Sequence, residues 1–440
     1  MPIALGRRSV LSAAALGATA AFSGCAGLTE RVSSTSRGGR DRVTLQVYGT
    51  DTETRIYQRL ADRFSEQNKV TVDVTVVPFS DFATGVDAGL LSGTAPDVFR
   101  VDYPTMGLYA GTEQLLDITD ALDELVSDTR SAFMDAVSTG DRYYGVPQHV
   151  DTSALVYRPD LLREAGITAV PDRPEDAWSW EEFGEVADKL RDAAPAGRSA
   201  FGVNWQAAGA FRWLNWVFQA GGNMYNEDLS AAIIDDDAGR RALDFTTSFF
   251  DNGWVPATTS TKSATYPDAL FTSGTLSMLF AGNFLIPAFA ETIADRFEYA
   301  VTYLPRDQRR ASELGGNAIV ANRDAGNPEL ATELMVFLAS REAMAEFCSE
   351  AVLLPTRDSL IEQGLDFALR PDLMPVYTDM ITTIEDRDVA DVTTPTFAEV
   401  NVDLANELEQ SFLSGRSTDD TLATLADQVT ASAYLNEGSA

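Results

Sequence analysis

An α/β fold built in two lobes is what this chain predicts, and three observations carry that prediction. Strand-period and helix-period segments alternate from Val43 onward, the first of them make a β–α–β unit, and 440 residues at 45% hydrophobic content suffice for two or three cored domains. Residues 43–48 form a short β-branched run that stops at Gly49. Ile56, Leu60, Ala61 and Phe64 share one face of an amphipathic helix over 53–67, and residues 70–77 alternate as a second strand. Residues 82–91 predict another helix and 96–101 another strand, so the order implies mostly parallel pairing with right-handed crossovers. Ligands of such sheets sit beyond the carboxyl ends of the strands, which places Thr50 with Asp51, and Asp102 with Tyr103, at the mouth of a cleft.

The first forty residues stand apart from that pattern. Arg7-Arg8 opens a basic segment, and the alanine-rich apolar run over 10–22 is too short for a stable membrane span, so residues 1–25 read as an export signal. The paired arginines resemble the twin-arginine type. Phe22-Ser23-Gly24-Cys25 resembles a lipobox, with Phe22 in place of the usual leucine, and marks Cys25 for lipidation. Residues 26–41 are Ser, Thr, Gly and Arg with almost no apolar side chains, and predict a flexible tether. With Cys25 acylated, Cys348 has no partner for an intramolecular disulfide and reads as a small core residue. The expected location is the outer face of the cytoplasmic membrane, lipid-anchored.

Charge excludes several partners. Sixty-six acidic against 33 basic residues give a formal charge of −33, and Lys69, Lys189 and Lys262 are the only lysines. Nucleic acid needs clustered cations, which this composition lacks. Self-repulsion of so acidic a shell is tolerable where salt screens it, so the composition predicts a salt-loving source. The lone histidine, His149, excludes His-triad metal sites and weakens a Ser-His-Asp reading. No phosphate loop, dinucleotide fingerprint, zinc cysteine cluster or EF-hand spacing is found, so no cofactor, metal or catalytic group is expected.

A series of short motifs then runs in a telling order. Tyr143-Tyr144-Gly145-Val146-Pro147 precedes Asp151-Thr152-Ser153-Ala154-Leu155-Val156-Tyr157, and Asp160 to Ile167 completes the stretch. Trp178-Ser179-Trp180-Glu181-Glu182-Phe183 follows as a tryptophan-led helix start with Ser179 as N-cap. Gln219-Ala220-Gly221-Gly222, Phe271 to Met278, Tyr303-Leu304-Pro305, Gly315 to Val320, Leu353 to Arg357 and Leu413 to Ser417 continue it. In this order the chain resembles the extracellular solute-binding proteins of ABC importers, of the sugar-binding, maltodextrin-like family, from about Val43 to Thr430.

That resemblance implies a type II periplasmic-binding-protein-like fold, each lobe a mostly parallel sheet flanked by helices, with three hinge crossovers near 150–153, 314–317 and 355–358. The N-terminal lobe would combine 42–150 with 316–356, and the C-terminal lobe 153–314 with 359–440. It implies the residues of the cleft as well: Asp51, Asp102 and Tyr103 from the first lobe, Asp151 from the first crossover, Trp205, Gln206, Trp213, Asn283 and Phe284 from the second lobe, and Gly316 with Asn317 from the second crossover. A sugar presents hydroxyls at its rim and C–H groups on its faces, so carboxylates, amides and aromatic rings suit it. The implied partners are a carbohydrate, an ABC permease and its ATPase, for a monomer that does no chemistry. A glycerol-phosphate-like ester, a polyamine or a cation stands as the alternative solute. Tyr143-Tyr144 resembles the paired tyrosines of iron binders but precedes Gly-Val-Pro in the crossover motif, which argues against iron. A glycoside hydrolase ranks lowest, since no carboxylate pair is singled out. Trp213, Trp216 and Phe218 also fit a helix packed in the core.

Overall fold

In the computed structural model, which describes residues 40–437, the chain enters through β1 (Arg42–Val47), buried from Val43 to Val47. A strand buried at nearly every position, the polar Thr44 and Gln46 included, is covered on both faces and so takes the centre of a sheet. Helix α1 (Asp51–Asn68) starts from a capping box in which Thr50 and Glu53 exchange side-chain and backbone hydrogen bonds, and it ends at Lys69 in the left-handed conformation. β2 (Thr71–Val76) returns parallel to β1, α2 (Phe79–Ser92) follows, and β3 (Val98–Asp102) pairs with β1 on its other side before α3 (Tyr103–Gly111). This opening is the β–α–β run expected from the periodicity.

A short hairpin of β4 (Ser138–Thr139) and β5 (Arg142–Tyr143) leads into β6 (Gly145–Asp151), and after Thr152 alone the chain continues as β7 (Ser153–Tyr157) in a different sheet. β8 (Ser199–Gly202), β9 (Leu276–Gly282) and β10 (Ala300–Thr302) join β7, and β11 (Gly315–Ala321) goes back to the first sheet. The first sheet has the order β2-β1-β3-β11-β6 and the second β10-β7-β9-β8. Both are mixed rather than mostly parallel: parallel pairing is confined to β1–β2, β1–β3 and β8–β9. The reason lies in the crossings. β11 arrives directly from the second sheet, with no crossover helix to turn it round, so it enters from the opposite end and pairs antiparallel with β3 and β6.

Gly315 and Gly316, within the crossover expected near 314–317, are the first residues of β11. Gly316 has φ +104°, and a Cβ there would lie 2.5 Å from the His149 carbonyl oxygen, so glycine is required by the close approach of β6. A third connection runs beside the same strand: Val150 N–H donates to the Leu354 carbonyl at 2.9 Å and Thr356 Oγ1 to the Pro147 carbonyl at 2.9 Å. The C-terminal helices then touch both halves. Thr152 Oγ1 donates to the Tyr377 carbonyl at 2.9 Å, Ser131 Oγ to Asp386 at 2.9 Å, and helix Phe397–Ser414 packs on α3.

The second core is aromatic: Phe183, Phe201, Trp216, Phe249 and Phe280 meet in edge and tilted contacts. Each such side chain stabilises the fold by about 1.5–3 kcal/mol on burial. Ser179 caps helix Trp180–Ala193 through a capping box with Glu182. Trp254 packs beside Phe201 and Phe249 with its indole N–H on Asp188, and Cys348 is a buried free thiol in helix Arg341–Ala351. The signal, Cys25 and residues 26–39 of the expected tether lie outside the described residues. No helix among the described residues is long and apolar enough to cross a membrane.

Candidate functional site

β1 and β3 are parallel neighbours, so their carboxyl ends bring Tyr48 and Asp102 together, and antiparallel β11 sets Asn317 opposite Asp102. The Tyr48 hydroxyl and the Asn317 amide both donate to Asp102 Oδ1. Behind them lies a buried guanidinium. Arg100 donates to the Tyr48 carbonyl at 2.6 Å, to Glu53 Oε1 at 2.9 Å and to Asn317 Oδ1 at 2.5 Å, and sits 4.5 Å from the centroid of the Tyr48 ring. One cation therefore orients three of the groups at this sheet edge. Burial raises the Asp102 carboxyl above the usual carboxylate range despite the Tyr48 and Asn317 bonds and the Arg100 charge. Burial also pushes at Glu53, but Arg100 and the Thr50 N–H outweigh it and hold that carboxyl below its usual range.

The second sheet meets this edge where β6 passes into β7. Asn283, after β9, donates to Asp151 Oδ1 at 3.1 Å and to the Val352 carbonyl at 3.2 Å, and accepts from the Thr152 N–H at 3.1 Å. A single amide thus ties three chain segments at the crossing. Beside it Ser153 donates to Glu313, Asn204 donates to Ser153 Oγ at 2.8 Å, and Asn215 donates to Glu313 Oε2 at 2.6 Å. Arg212 completes the cluster, with Nε 3.4 Å from Glu313 Oε1, Nη1 on the Tyr266 hydroxyl at 3.1 Å, and Phe284 5.7 Å from its guanidinium. Arg212 and Glu313 are both buried. The Arg212 charge acts on Asp102 from one half and on Asp151 from the crossing.

Of the residues expected at a cleft, the structure brings together Asp102, Asp151, Asn283, Phe284, Gly316 and Asn317. Gln206 is buried in the loop after β8, and its Oε1 has no hydrogen-bond partner among the described residues. The others have different surroundings. Thr50 is spent on capping α1, and Asp51 is exposed in its first turn. Tyr103 is fully buried and donates to the His149 carbonyl at 3.1 Å. Trp205 stacks between Phe249 and Phe412, and Trp213 is a core residue whose indole N–H donates to Thr246 at 2.9 Å, as expected of a helical aromatic stripe. Tyr48, Arg100, Arg212, Tyr266 and Glu313 escaped the sequence reading. Arg100 had a legible signal: a cation inside the apolar strand Asp97-Val98-Phe99-Arg100-Val101 must be paired or hydrogen-bonded once buried. Arg212, between Phe211 and Trp213, carries the same mark.

Known proteins give this geometry its context. Over 304 residues the chain is 24% identical to the galactooligosaccharide-binding protein of Bacillus subtilis, covering 68% of this chain and 69% of that one. It is 22% identical over 312 residues to the maltodextrin-binding protein of the same organism, covering 69% and 70%. Among solved structures, the GacH receptor of Streptomyces glaucescens, known unliganded and with acarbose, superposes with a TM-score of 0.76 at 20% identity, covering 91% of this chain and 99% of that one, which speaks for a shared fold. The model of the bacterial extracellular solute-binding protein family matches residues 49–345, and this chain belongs to that family.

Proposed function

We propose that this protein captures a carbohydrate between two lobes outside the cytoplasmic membrane and hands it unchanged to the permease of an ABC importer. The observation that carries the reading is the meeting of polar groups from both sheets at the crossings: Tyr48, Asp102 and Asn317 from one, Asn283, Arg212 and Glu313 from the other, with Asp151 between them. Carboxylates and amides bonded in this way can exchange partners with sugar hydroxyls, which both donate and accept. The names of the relatives support the same solute class, in that they bind galactooligosaccharide and maltodextrin.

The lobes are 42–150 with 316–356, and 153–314 with 359–440, and solute shifts the population toward their closure. Asp102, Asp151, Gln206, Asn283, Phe284, Gly316 and Asn317 contact the solute, joined by Tyr48, Arg212 and Tyr266, with Thr50 and Asp51 at the rim. Cys25 carries a lipid after export through a twin-arginine signal, and the acidic surface suits concentrated salt. The protein acts as a monomer and catalyses nothing. The test is a panel of mono- and oligosaccharides titrated in 2 M KCl while melting temperature is followed. Stabilisation by at least one sugar without release of reducing ends is expected; indifference to every sugar with a clear response to a polyamine would overturn it.

A further inference from the structure

We propose that the junction selects by ligand charge, accepting uncharged or amine-bearing sugars and refusing phosphorylated or uronic ones. The inference deepens the carbohydrate reading and rests on it.

The buried charges at the junction do not balance. Arg100 is paired with Glu53 at 2.9 Å, with side chains 4% and 10% exposed. Arg212 is paired with Glu313 at 3.4 Å, with side chains 9% and 2% exposed. Both guanidiniums therefore already have a counterion. Asp102 and Asp151 do not. The protein donors to Asp102 are the neutral Tyr48 hydroxyl and Asn317 amide, both on Oδ1. Asp151 takes the neutral Asn283 amide at 3.1 Å, while His149 Nε2 stands 3.7 Å away and faces an Arg100 N–H group at 3.4 Å. Two guanidiniums against the carboxylates of Glu53, Asp102, Asp151 and Glu313 leave a formal charge of −2, and the sum stays negative even with a protonated His149.

A phosphate or carboxylate entering here would be a further anion where burial weakens screening, and each arginine charge is already set against a carboxylate of the protein. Hydroxyls of a neutral sugar, by contrast, can donate to Asp102 and Asp151, and an ammonium group would be a counterion. The upward displacement of the Asp102 carboxyl by burial, with both arginines acting on it, is consistent with a charge that the protein under-compensates. The acidic surface also repels anions, but its reach shrinks to about 3 Å at 1 M salt, so concentrated salt isolates the buried term.

The test uses matched sugars in 2 M KCl: glucose, glucosamine, glucuronate and glucose 6-phosphate, the same set on galactose, and maltose and lactose against maltobionate and lactobionate. Calorimetric titration is expected to show each neutral sugar that binds holding at least about a 100-fold advantage over its anionic counterpart, as like-charge juxtaposition demands. An anionic counterpart within tenfold of its neutral parent, or tighter, would overturn the proposal. Asp102→Asn keeps an Oδ1 acceptor and is expected to narrow the gap. The ligand-free protein supplies a separate reading: Asp102→Asn should raise the melting temperature, and a fall would overturn the charge accounting. Should no sugar bind while that temperature rises, the carbohydrate reading fails and the charge accounting stands.

Discussion

Arg100→Leu is the perturbation that most directly interrogates the first-sheet edge. The guanidinium is 4% exposed and Glu53, its partner at 2.9 Å, is 10% exposed. Leucine would leave that carboxylate buried without its counterion and would free the Tyr48 carbonyl and Asn317 Oδ1 of their donor. Breaking one partner of a buried pair costs about 3–5 kcal/mol. Roughly 400 residues at about 2.1 cal/mol/K each give an unfolding entropy near 0.8 kcal/mol/K, so the melting temperature should fall by about 4–6 °C if the body unfolds as one unit. The pH dependence has a defined sign. Burial pushes Glu53 upward, but Arg100 and the Thr50 N–H hold it below its usual range, so in the native protein its contribution is present above the unfolded pKa of about 4.3 and is lost in stronger acid. Without Arg100, burial dominates and protonation of Glu53 relieves the variant, so the gap between the two proteins should narrow as pH falls from 7 toward 4. Calorimetric scans of both proteins across that range are the assay. A difference below about 1 °C at pH 7, or one that widens in acid, would refute the reasoning.

Three further outcomes are expected. Gly316→Ala should cost about 3 kcal/mol, from a strained φ of +104° and a Cβ 2.5 Å from a backbone oxygen, whereas Gly415→Ala, left-handed at φ +69° and in open space, should cost about 1 kcal/mol; equal melting temperatures would count against the strand-approach argument. Asp388 is pushed up to about 6 by burial, against the pull of Arg309 and with Glu385 and Asp391 adding to the rise. A carboxyl raised in the fold contributes stability below its unfolded pKa that is lost as pH rises through about 6, so unfolding titrations should show a loss of about 2–3 kcal/mol from pH 4 to 7 that Asp388→Asn lacks; parallel profiles would contradict this. A formal charge of −33 predicts a melting temperature that climbs from 0.1 to 2 M KCl, and a flat or falling trend would remove self-repulsion from the account.

The legible part of this fold was local. Ile56, Leu60 and Phe64 recur at helical spacing and are buried on α1, and Ser179, read as an N-cap, caps the helix it precedes. Sheet direction was harder, because pairing of β11 with β3 joins residues more than 200 positions apart, and periodicity within a segment says nothing of the end from which it enters a sheet. The site divided along the same line. Asp102, Asp151, Asn283 and Asn317 lie at strand ends or crossings, where position alone was informative. Trp205 and Trp213 are large aromatics that serve a core or a sugar face equally well, and their packing on Phe249, Phe412 and Thr246 is a tertiary fact. Arg100 and Arg212 stand among apolar neighbours in the sequence, a sign that each is paired, but which carboxylate holds each is a tertiary fact.

Closure around a solute is the claim on which the functional account stands. Small-angle X-ray scattering in 2 M KCl, with and without a saturating sugar that raises the melting temperature, tests it most directly. The account predicts a smaller radius of gyration with the sugar, and a reversal when the sugar is dialysed away. Superimposable curves in the presence of a bound sugar would contradict it.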